Sequence, residues 1–324
     1  METDLVLNVI KLCVGVVVLL KGVDILIEGA SAIARRSGIP EFVIGLSLVA
    51  FGTSLPELTV NVRASFEGAS EITLGNVIGS NIANLLLILG VAGLIRPMSI
   101  HKTFVKKEIP LNFLSIIVLF AMVSDKVVDG SGSAYVSRSE GLVLITTFVG
   151  YLYFLAAFIE KNSSEEATPG IGYLKGGLMI LLGTVGLVFG SDWTVSGGVG
   201  VATALGISQV MVGLFLIAIG TSLPELITSA VASYKGNPDM ALGNVAGSNI
   251  FNISLVLGVS AFINPIPVPE RIFKDLFLLF LATFVLLVSN YTGKRYTVSR
   301  SEAFIFISIY MLYAVYSWYV EVKG

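Results

Sequence analysis

The sequence predicts an all-α polytopic membrane protein of ten transmembrane helices, arranged as two inverted five-helix repeats. Hydrophobic residues make up 55% of the chain and charged residues 13%, with a mean hydropathy of +0.88. A soluble globular chain carries about 25% charged residues. Apolar stretches of the roughly 20 residues that cross a ~30 Å hydrocarbon core recur along nearly the whole chain. The third observation is a block of sequence that occurs twice.

The repeat is recognised by two motifs. Gly52–Leu58 (GTSLPEL) recurs unchanged as Gly220–Leu226, 168 positions later. At the same offset, Gly75–Asn84 (GNVIGSNIAN) corresponds to Gly243–Asn252 (GNVAGSNIFN). Internal identity at a fixed period indicates a duplicated structural unit. Because each unit contains an odd number of predicted spans, the second copy enters the bilayer from the opposite side.

Hydrophobic runs and turn residues place five helices in each copy. The predicted helices are 5–34, 41–66, 71–95, 107–124 and 139–160, followed by 171–203, 209–234, 239–263, 273–290 and 302–320. This reading divides the chain into a first repeat at 1–160, a short cytoplasmic linker at 161–170 and a second, inverted repeat at 171–324. Each Ser-Arg-Ser-Glu, at 137–140 and 299–302, predicts a capping box that opens a helix.

Charge and cysteine content exclude several classes of function. A formal net charge of −2 offers no basic surface for nucleic acid. Cys13 is the only cysteine, which excludes a disulfide framework and a cysteine-based metal site. The acidic start at 1–4 lacks the positive region of a signal peptide, so we expect the first segment to remain as a helix. Lys and Arg are more frequent in the short loops that are cytoplasmic when the N-terminus is outside, which favours that orientation. The lone His101 lies in a basic loop and is expected to be solvated.

Gly and Pro interrupt the second and seventh predicted helices within each GTSLPE motif. Proline removes an N–H donor and blocks the bond to the carbonyl one turn earlier, so we expect free carbonyls near Ala50 and Ala218. In lipid such groups must find partners. A bound cation can be that partner, together with the neighbouring hydroxyls of Thr53, Ser54, Thr221 and Ser222. Broken helices at repeat-related positions indicate a binding site at the bilayer midplane.

Glu57 and Glu225 are the duplicated acidic residues of these breaks. A carboxylate at membrane depth costs at least about 2.5 kcal/mol, so both need neutralisation. Two glutamates supply a charge of −2, which matches Ca²⁺, and carboxylate, carbonyl and hydroxyl oxygens are its preferred ligands. With no suitable Cys or His, a transition-metal site is not supported. A single glutamate of this kind could also cap a half-helix, but its duplication favours a cation site.

The GN-x-x-GSN motif places polar side chains at i, i+4 and i+8, on one helix face. They are Asn76, Ser80 and Asn84 in the first repeat and Asn244, Ser248 and Asn252 in the second. We expect this stripe to face the protein interior, where its oxygens coordinate ions or bind the facing broken helix. The serines could instead bond carbonyls one turn back, and Asn84 and Asn252 could be packing amides.

Three other features of the repeats have structural interpretations. The Gly-x-x-x-Gly pairs at 75 and 79 and at 243 and 247 favour close helix packing. Asp24 and Asp192 lie nearer the ends of long helices, where pairing with a loop is at least as good an explanation as ion binding. We therefore leave both aspartates outside the core site.

In these motifs the chain resembles the cation/Ca²⁺ exchanger superfamily, and within it the prokaryotic Na⁺/Ca²⁺ exchangers. The resemblance covers essentially the whole chain and implies a ten-helix fold with two inverted repeats. It implies that Glu57, Glu225, Thr53 and Thr221 surround a central Ca²⁺. Flanking Na⁺ positions would use the carbonyls of Ala50 and Ala218, the hydroxyls of Ser54, Ser222, Ser80 and Ser248, and the side chains of Asn84 and Asn252. Na⁺/Ca²⁺ members of the family often have aspartate where this chain has Asn252.

The resemblance implies a secondary active antiporter of the cell membrane, not an enzyme, that exchanges Ca²⁺ for Na⁺ by alternating access. Its partners are the two ions and the lipid bilayer, with no cofactor and no protein partner implied. By analogy with the family, the long first and sixth helices slide against a fixed core. A Ca²⁺/H⁺ or a K⁺-dependent Na⁺/Ca²⁺ antiporter of the same superfamily is the nearest alternative, and a channel is a further one. An intramembrane hydrolase is a remote alternative, because acid/base catalysis needs two carboxyl groups with different pKa values.

Overall fold

The structure, a computed structural model, describes residues 2–68, 71–99, 108–124, 135–162, 171–205, 220–269, 272–289 and 297–323. Helices dominate these residues, and the remaining regular structure consists of four two-residue strands. The predicted all-α class is therefore confirmed for the described part of the chain. The count of ten helices stays a prediction.

The elements are numbered in chain order, with π marking segments of π-helix inside longer helices. They are α1 (Glu2–Ser37), α2 (Glu41–Ile44), π1 (Gly45–Val49), α3 (Ala50–Thr53), α4 (Leu55–Phe66), α5 (Glu71–Ile82), π2 (Ala83–Ile88), α6 (Leu89–Ile95), β1 (Met98–Ser99), α7 (Ile109–Val123), β2 (Tyr135–Val136), α8 (Arg138–Asn162), α9 (Tyr173–Ala204), α10 (Leu223–Tyr234), α11 (Pro238–Phe251), π3 (Asn252–Val256), α12 (Leu257–Ile263), β3 (Ile266–Pro267), α13 (Ile272–Ser289), β4 (Thr297–Val298) and α14 (Arg300–Lys323).

These bounds agree with the predicted helices to within a few residues wherever both are available. Two details differ. Helix α8 continues to Asn162, so the first two residues of the predicted linker are helical, and 163–170 lie outside the described residues. The first part of the predicted seventh helix, 209–219, also lies outside them.

Within the described residues, five helices are long and apolar enough to cross a membrane. They are Ile72–Ile95, Arg138–Ala157, Tyr173–Ala204, Pro238–Ile263 and Arg300–Val320, and the bent pair Glu41–Thr53 and Leu55–Phe66 would form a sixth span. Two of the five are central, because 78% of the apolar window of Ile72–Ile95 and of Pro238–Ile263 is buried. In the other three the buried share is 17–33%, which leaves broad apolar faces suited to lipid.

The central helices connect the two halves of the chain. Helix α11 packs against α2, π1 and α3, and the π2–α6 segment packs against α10. Gly243 and Gly247 make the first of these contacts possible. A Cβ on Gly243 would collide with the Phe42 carbonyl oxygen, and one on Gly247 would lie 2.5 Å from that of Leu46. The predicted close packing at these two glycines is confirmed.

The first-repeat glycines behave differently within the described residues. No described atom lies within 4 Å of a Cβ placed on Gly75 or Gly79. By the repeat offset, the segment equivalent to 42–51 is 210–219, which the description does not include. Close packing at Gly75 and Gly79 therefore stays a prediction.

The long helices α1 and α9 run antiparallel and touch through their backbones. A Cβ on Gly190 would lie 2.5 Å from the Leu19 nitrogen, and one on Gly197 would lie 2.5 Å from the Leu12 nitrogen. Glycines let two helix backbones approach this closely. We call this contact the glycine seam. Five glycines of α9 lie against α1 in this seam: Gly176, Gly183, Gly186, Gly190 and Gly197.

The short strands and the helix starts join one half of the chain to the other. Strand β1 pairs antiparallel with β4, and β2 pairs antiparallel with β3. Both capping boxes form as predicted: the backbone N–H of Ser137 donates to Glu140 Oε2 at 2.7 Å, and that of Ser299 donates to Glu302 Oε2 at 2.8 Å. These contacts hold the ends of α8 and α14 against the central helices.

Candidate ion-binding site

The helix break at the first GTSLPE motif lies at Ser54. Its φ and ψ are −89° and 5°, and the axes before and after it differ by 44°. Ser222 has nearly the same conformation, with φ −88° and ψ 8°. In both copies a proline stands in the first turn of the helix that follows, where its missing N–H has no intrahelical partner to lose. The predicted break in the second helix is confirmed, and Ser222 repeats its geometry.

The Ala50 carbonyl is not free, contrary to our expectation. Its oxygen accepts the backbone N–H of Ser54 at 3.0 Å, and it lies 3.3 Å from the Thr53 hydroxyl, which shares its one proton with Asn244 Oδ1. The N–H that is missing belongs to Pro56, whose partner one turn earlier would be the Gly52 carbonyl. An ion-ligand role for Ala50 therefore depends on the second lone pair of an oxygen that already accepts hydrogen bonds. It stays a prediction, and Ala218 lies outside the described residues.

Glu57 and Glu225 are both buried, each with 1% of its surface exposed. The two carboxylates lie close enough to interact electrostatically. Among the described residues, neither oxygen of Glu57 has a hydrogen-bond partner, and neither does Oε2 of Glu225. The Ser222 hydroxyl lies beside Glu57, but it donates its proton to Ser80 at 3.1 Å. Buried polar atoms are nearly always paired, so three unpaired carboxylate oxygens in one place indicate a site for a cation.

Hydroxyl groups surround the two carboxylates, and their contacts cross between the repeats. Ser54 donates to Glu225 Oε1 at 2.9 Å. Thr53 donates to Asn244 Oδ1 at 3.0 Å, and its hydroxyl is 3.5 Å from that of Ser248. All of these side chains are at most 3% exposed. The oxygens are the hard ligands that Ca²⁺ and other hard cations select.

The corresponding hydrogen bond at the second helix break, which lies at Ser222, is longer. Thr221 donates to Asn76 Oδ1 at 3.4 Å, and both residues are partly exposed. The polar stripe of the first repeat therefore reaches the surface at Asn76, although Ser80 and Asn84 are buried. In the second repeat the whole stripe is buried, with Asn244, Ser248 and Asn252 all fully enclosed. The prediction that the stripes face the interior is confirmed, apart from the partial exposure of Asn76.

Sequence reasoning missed two residues of this cluster, Asn81 and Asn249. Asn84 donates from Nδ2 to Asn249 Oδ1 at 2.9 Å, and Asn252 donates to Asn81 Oδ1 at 3.1 Å. All four side chains are at most 2% exposed. The sequence does contain a signal for them, because each of these asparagines directly follows the serine of its polar stripe, Ser80 or Ser248. The i, i+4 and i+8 spacing alone does not include this position.

The stripe also changes its helical geometry at its last residue. π2 begins at Ala83, next to Asn84, and π3 begins at Asn252. Single π turns within α-helices are frequently found at functional sites. The oxygens Oδ1 of Asn84 and Asn252 are buried, and within the described part of the chain they have no hydrogen-bond partner. The buried oxygens without a described partner therefore include two neutral amide oxygens as well as the three carboxylate oxygens.

Asp24 lies outside this cluster, as predicted. Its Oδ1 accepts a hydrogen bond from the Lys235 ammonium at 2.6 Å, and both side chains are about two-fifths exposed. Such an exposed ion pair contributes little to stability. The contact joins α1 to the residue that follows α10 and gives Asp24 a structural partner.

Comparison with known proteins agrees with this arrangement. The sodium/calcium exchanger protein family matches residues 7–157 and 175–319. The chain belongs to this family. It is 33% identical over 349 residues to the sodium/calcium exchanger MaX1 of Methanosarcina acetivorans, covering 97% of this chain and 99% of that protein. It is 34% identical over 311 residues to the putative antiporter CaxA of Alkalimonas amylolytica, covering 93% and 95%.

Solved structures give the same result for the fold. The sodium-calcium exchanger NCX_Mj, soaked with Na⁺ and Sr²⁺, superimposes with a TM-score of 0.81 at 30% identity, over 95% of this chain and 98% of that one. This member of the sodium/calcium exchanger family is therefore a multi-pass membrane antiporter for cations that include Ca²⁺, and a transporter, not an enzyme.

Proposed function

We propose that this exchanger moves Ca²⁺ against Na⁺ at a site centred on Glu57 and Glu225. The observation that carries the proposal is the set of three carboxylate oxygens on the buried residues Glu57 and Glu225 that have no hydrogen-bond partner among the described residues. Thr53 and Thr221 complete the central position. Ser54, Ser222, Ser80, Ser248, Asn84, Asn252 and the carbonyls of Ala50 and Ala218 form flanking positions for Na⁺. The names of MaX1 and NCX_Mj support Na⁺ as the counter-ion.

Exchange follows from the sharing of ligands. The two carboxylates carry a charge of −2, which one Ca²⁺ or several Na⁺ ions neutralise in turn. An empty, doubly charged site is costly to carry through the middle of the bilayer, so the protein changes its access only when ions are bound. That requirement couples Ca²⁺ movement to Na⁺ movement in the opposite direction.

The ten-helix, inverted-repeat architecture forms part of the proposal. It is supported by two strand pairings that change into one another when each residue is replaced by its equivalent in the other repeat. Positions 98–99 correspond to 266–267 by the offset of 168, and 135–136 correspond to 297–298 by an offset of 162. The repeat relation therefore converts the β1–β4 pairing into the β3–β2 pairing. A two-fold relation between the halves is the simplest reason for such reciprocity.

The glycine seam suggests which part moves. Because α1 and α9 are in backbone contact along most of their length, we propose that they slide together against the central helices. The N-terminus is outside and the protein lies in the cell membrane in this scheme. Lys and Arg in the short loops support that orientation.

The deciding experiment measures ⁴⁵Ca²⁺ uptake into proteoliposomes that contain the purified protein. We expect rapid uptake when the vesicles are loaded with Na⁺ and diluted into Na⁺-free buffer. Uptake without a Na⁺ gradient should stay near that of protein-free vesicles. Matched vesicles with only a pH gradient, and vesicles with K⁺ added on the Na⁺ side, test the alternative antiporters. Uptake that follows the pH gradient alone would replace Na⁺ with H⁺ in this proposal.

A further inference from the structure

We infer that Asn81 is a positioning residue, which turns the amide of Asn252 so that its oxygen faces the transported ion. The inference deepens the proposed function and depends on it. Neither Asn81 nor Asn249 was among the ligands expected from the sequence. The four asparagines, Asn81, Asn84, Asn249 and Asn252, are called the amide cluster below.

The direction of the hydrogen bonds is set by a group that cannot be reversed. A backbone carbonyl only accepts, and Asn81 Nδ2 lies 3.2 Å from the carbonyl oxygen of Asn249. The NH₂ group of Asn81 must therefore be on that side. Its oxygen then points to the other side, toward Asn252.

The amide of Asn252 is oriented in turn. Its NH₂ group donates to Asn81 Oδ1 at 3.1 Å. If the Asn252 amide were reversed, two oxygens would face each other in a place where Asn252 is fully buried. Such an arrangement forfeits a hydrogen bond and leaves two acceptors unpaired. The oxygen of Asn252 is therefore held on the side away from Asn81, where no described residue pairs with it.

That oxygen belongs to the neighbourhood of the carboxylates. Asn252 stands one helical turn after Ser248, on the same face, and the Ser248 hydroxyl is 3.5 Å from that of Thr53. The segment that begins at Asn252, π3, packs against α4, the helix that carries Glu57. An amide oxygen in this place is a neutral, hard ligand for a small cation. The Asn81 amide thereby decides whether the site offers an oxygen or an N–H at this position.

The first repeat has a corresponding side-chain contact. Asn249 Oδ1 accepts from Asn84 Nδ2 at 2.9 Å, and Asn84 Oδ1 is buried without a partner among the described residues. Asn249 thus contacts Asn81 through its backbone carbonyl and Asn84 through its side chain. The amide cluster therefore contains contacts in which each half of the protein meets a stripe asparagine of the other half.

The test uses Asn81→Leu, which keeps the number and branching of the side-chain heavy atoms and removes both hydrogen bonds. Purified protein in detergent is loaded with ⁴⁵Ca²⁺, and its displacement is measured against Na⁺ concentration. Loss of a residue that orients a metal ligand typically weakens affinity by 10–100-fold, so we expect the half-displacing Na⁺ concentration to rise about tenfold. The affinity for Ca²⁺ without Na⁺ should change less than about twofold, because Glu57 and Glu225 remain. Thr73→Val is the control, since Thr73 is fully buried on the same helix and its hydroxyl has no partner among the residues that the structure describes.

A double variant separates positioning from a general packing role. In an Asn252→Ala background there is no amide to orient, so adding Asn81→Leu should leave the Na⁺ dependence unchanged. Effects that add independently would overturn the inference, as would a single variant with wild-type Na⁺ dependence. Asn81→Ser serves as a second variant. If neither Asn81 variant yields folded protein, its role is structural and the inference is wrong. If Na⁺ does not displace Ca²⁺ from the wild-type protein itself, the proposed function is wrong, independently of the role of Asn81.

Discussion

Replacing either site glutamate by glutamine is expected to abolish Na⁺-driven Ca²⁺ uptake. Glu57→Gln and Glu225→Gln keep the size of the side chain but halve the charge of the site. A Ca²⁺ ion then lacks its counter-charge in a buried place, where unpaired charge is most costly. We expect uptake in proteoliposomes to fall by about a hundredfold or more, which corresponds to roughly 3 kcal/mol of ion-binding free energy.

Glu67→Gln is the matched control for this experiment. Glu67 follows the same helix, is exposed, and pairs with Arg63 at 2.7 Å. An exposed pair of this kind contributes about 0–1 kcal/mol, so the control should transport like the wild-type protein. Transport at the wild-type rate in Glu57→Gln or Glu225→Gln would show that the carboxylate pair is not the ion site.

The second large effect is expected from Gly243→Ala. A methyl group at this position collides with the carbonyl oxygen of Phe42, which is backbone and cannot rotate away. Helix α11 must therefore move away from the segment that precedes Ser54. Overpacking costs typically about 1–3 kcal/mol, and we expect both a lower Tm in detergent and a severe loss of uptake.

Gly150→Ala controls for the intrinsic effect of alanine. Gly150 lies within α8 and is exposed, and no described atom would contact its Cβ. Alanine favours a helix over glycine by about 1 kcal/mol in both places, so the control should be as stable as the wild-type protein or more so. If Gly243→Ala matched the control in Tm and in uptake, the close contact between the central helix and the broken helix would not be required.

The sequence was informative where the physical constraint is local. Apolar length determines where a chain can cross a bilayer, and proline at Pro56 and Pro224 must interrupt a helical ladder wherever it stands. Two identical motifs then make an accidental match improbable. The helix bounds, the break at Ser54 and the burial of Glu57 and Glu225 could therefore be predicted from the chain alone.

Features that depend on contacts between distant segments could not be predicted in the same way. The Ala50 carbonyl is a local exception: Pro56 lacks an N–H, but the N–H of Ser54, four residues after Ala50, still donates to that carbonyl. The glycines of α9 pack on α1, a choice of neighbour that periodicity does not encode. The direction of the amide of Asn81 depends on a backbone carbonyl of the other repeat, 168 residues away.

The glycine seam has a consequence for how these helices lie in lipid. The two helices contain 36 and 32 residues, or about 54 and 48 Å at 1.5 Å per residue. A hydrocarbon layer of ~30 Å is much thinner, so this two-helix rod must lean strongly or extend into the headgroups on both sides. Because the two helices are longer than the hydrocarbon layer is thick, they can move along their own axis while the apolar surface inside the layer stays almost constant. The membrane would then oppose this sliding movement only weakly, and ion occupancy would control it.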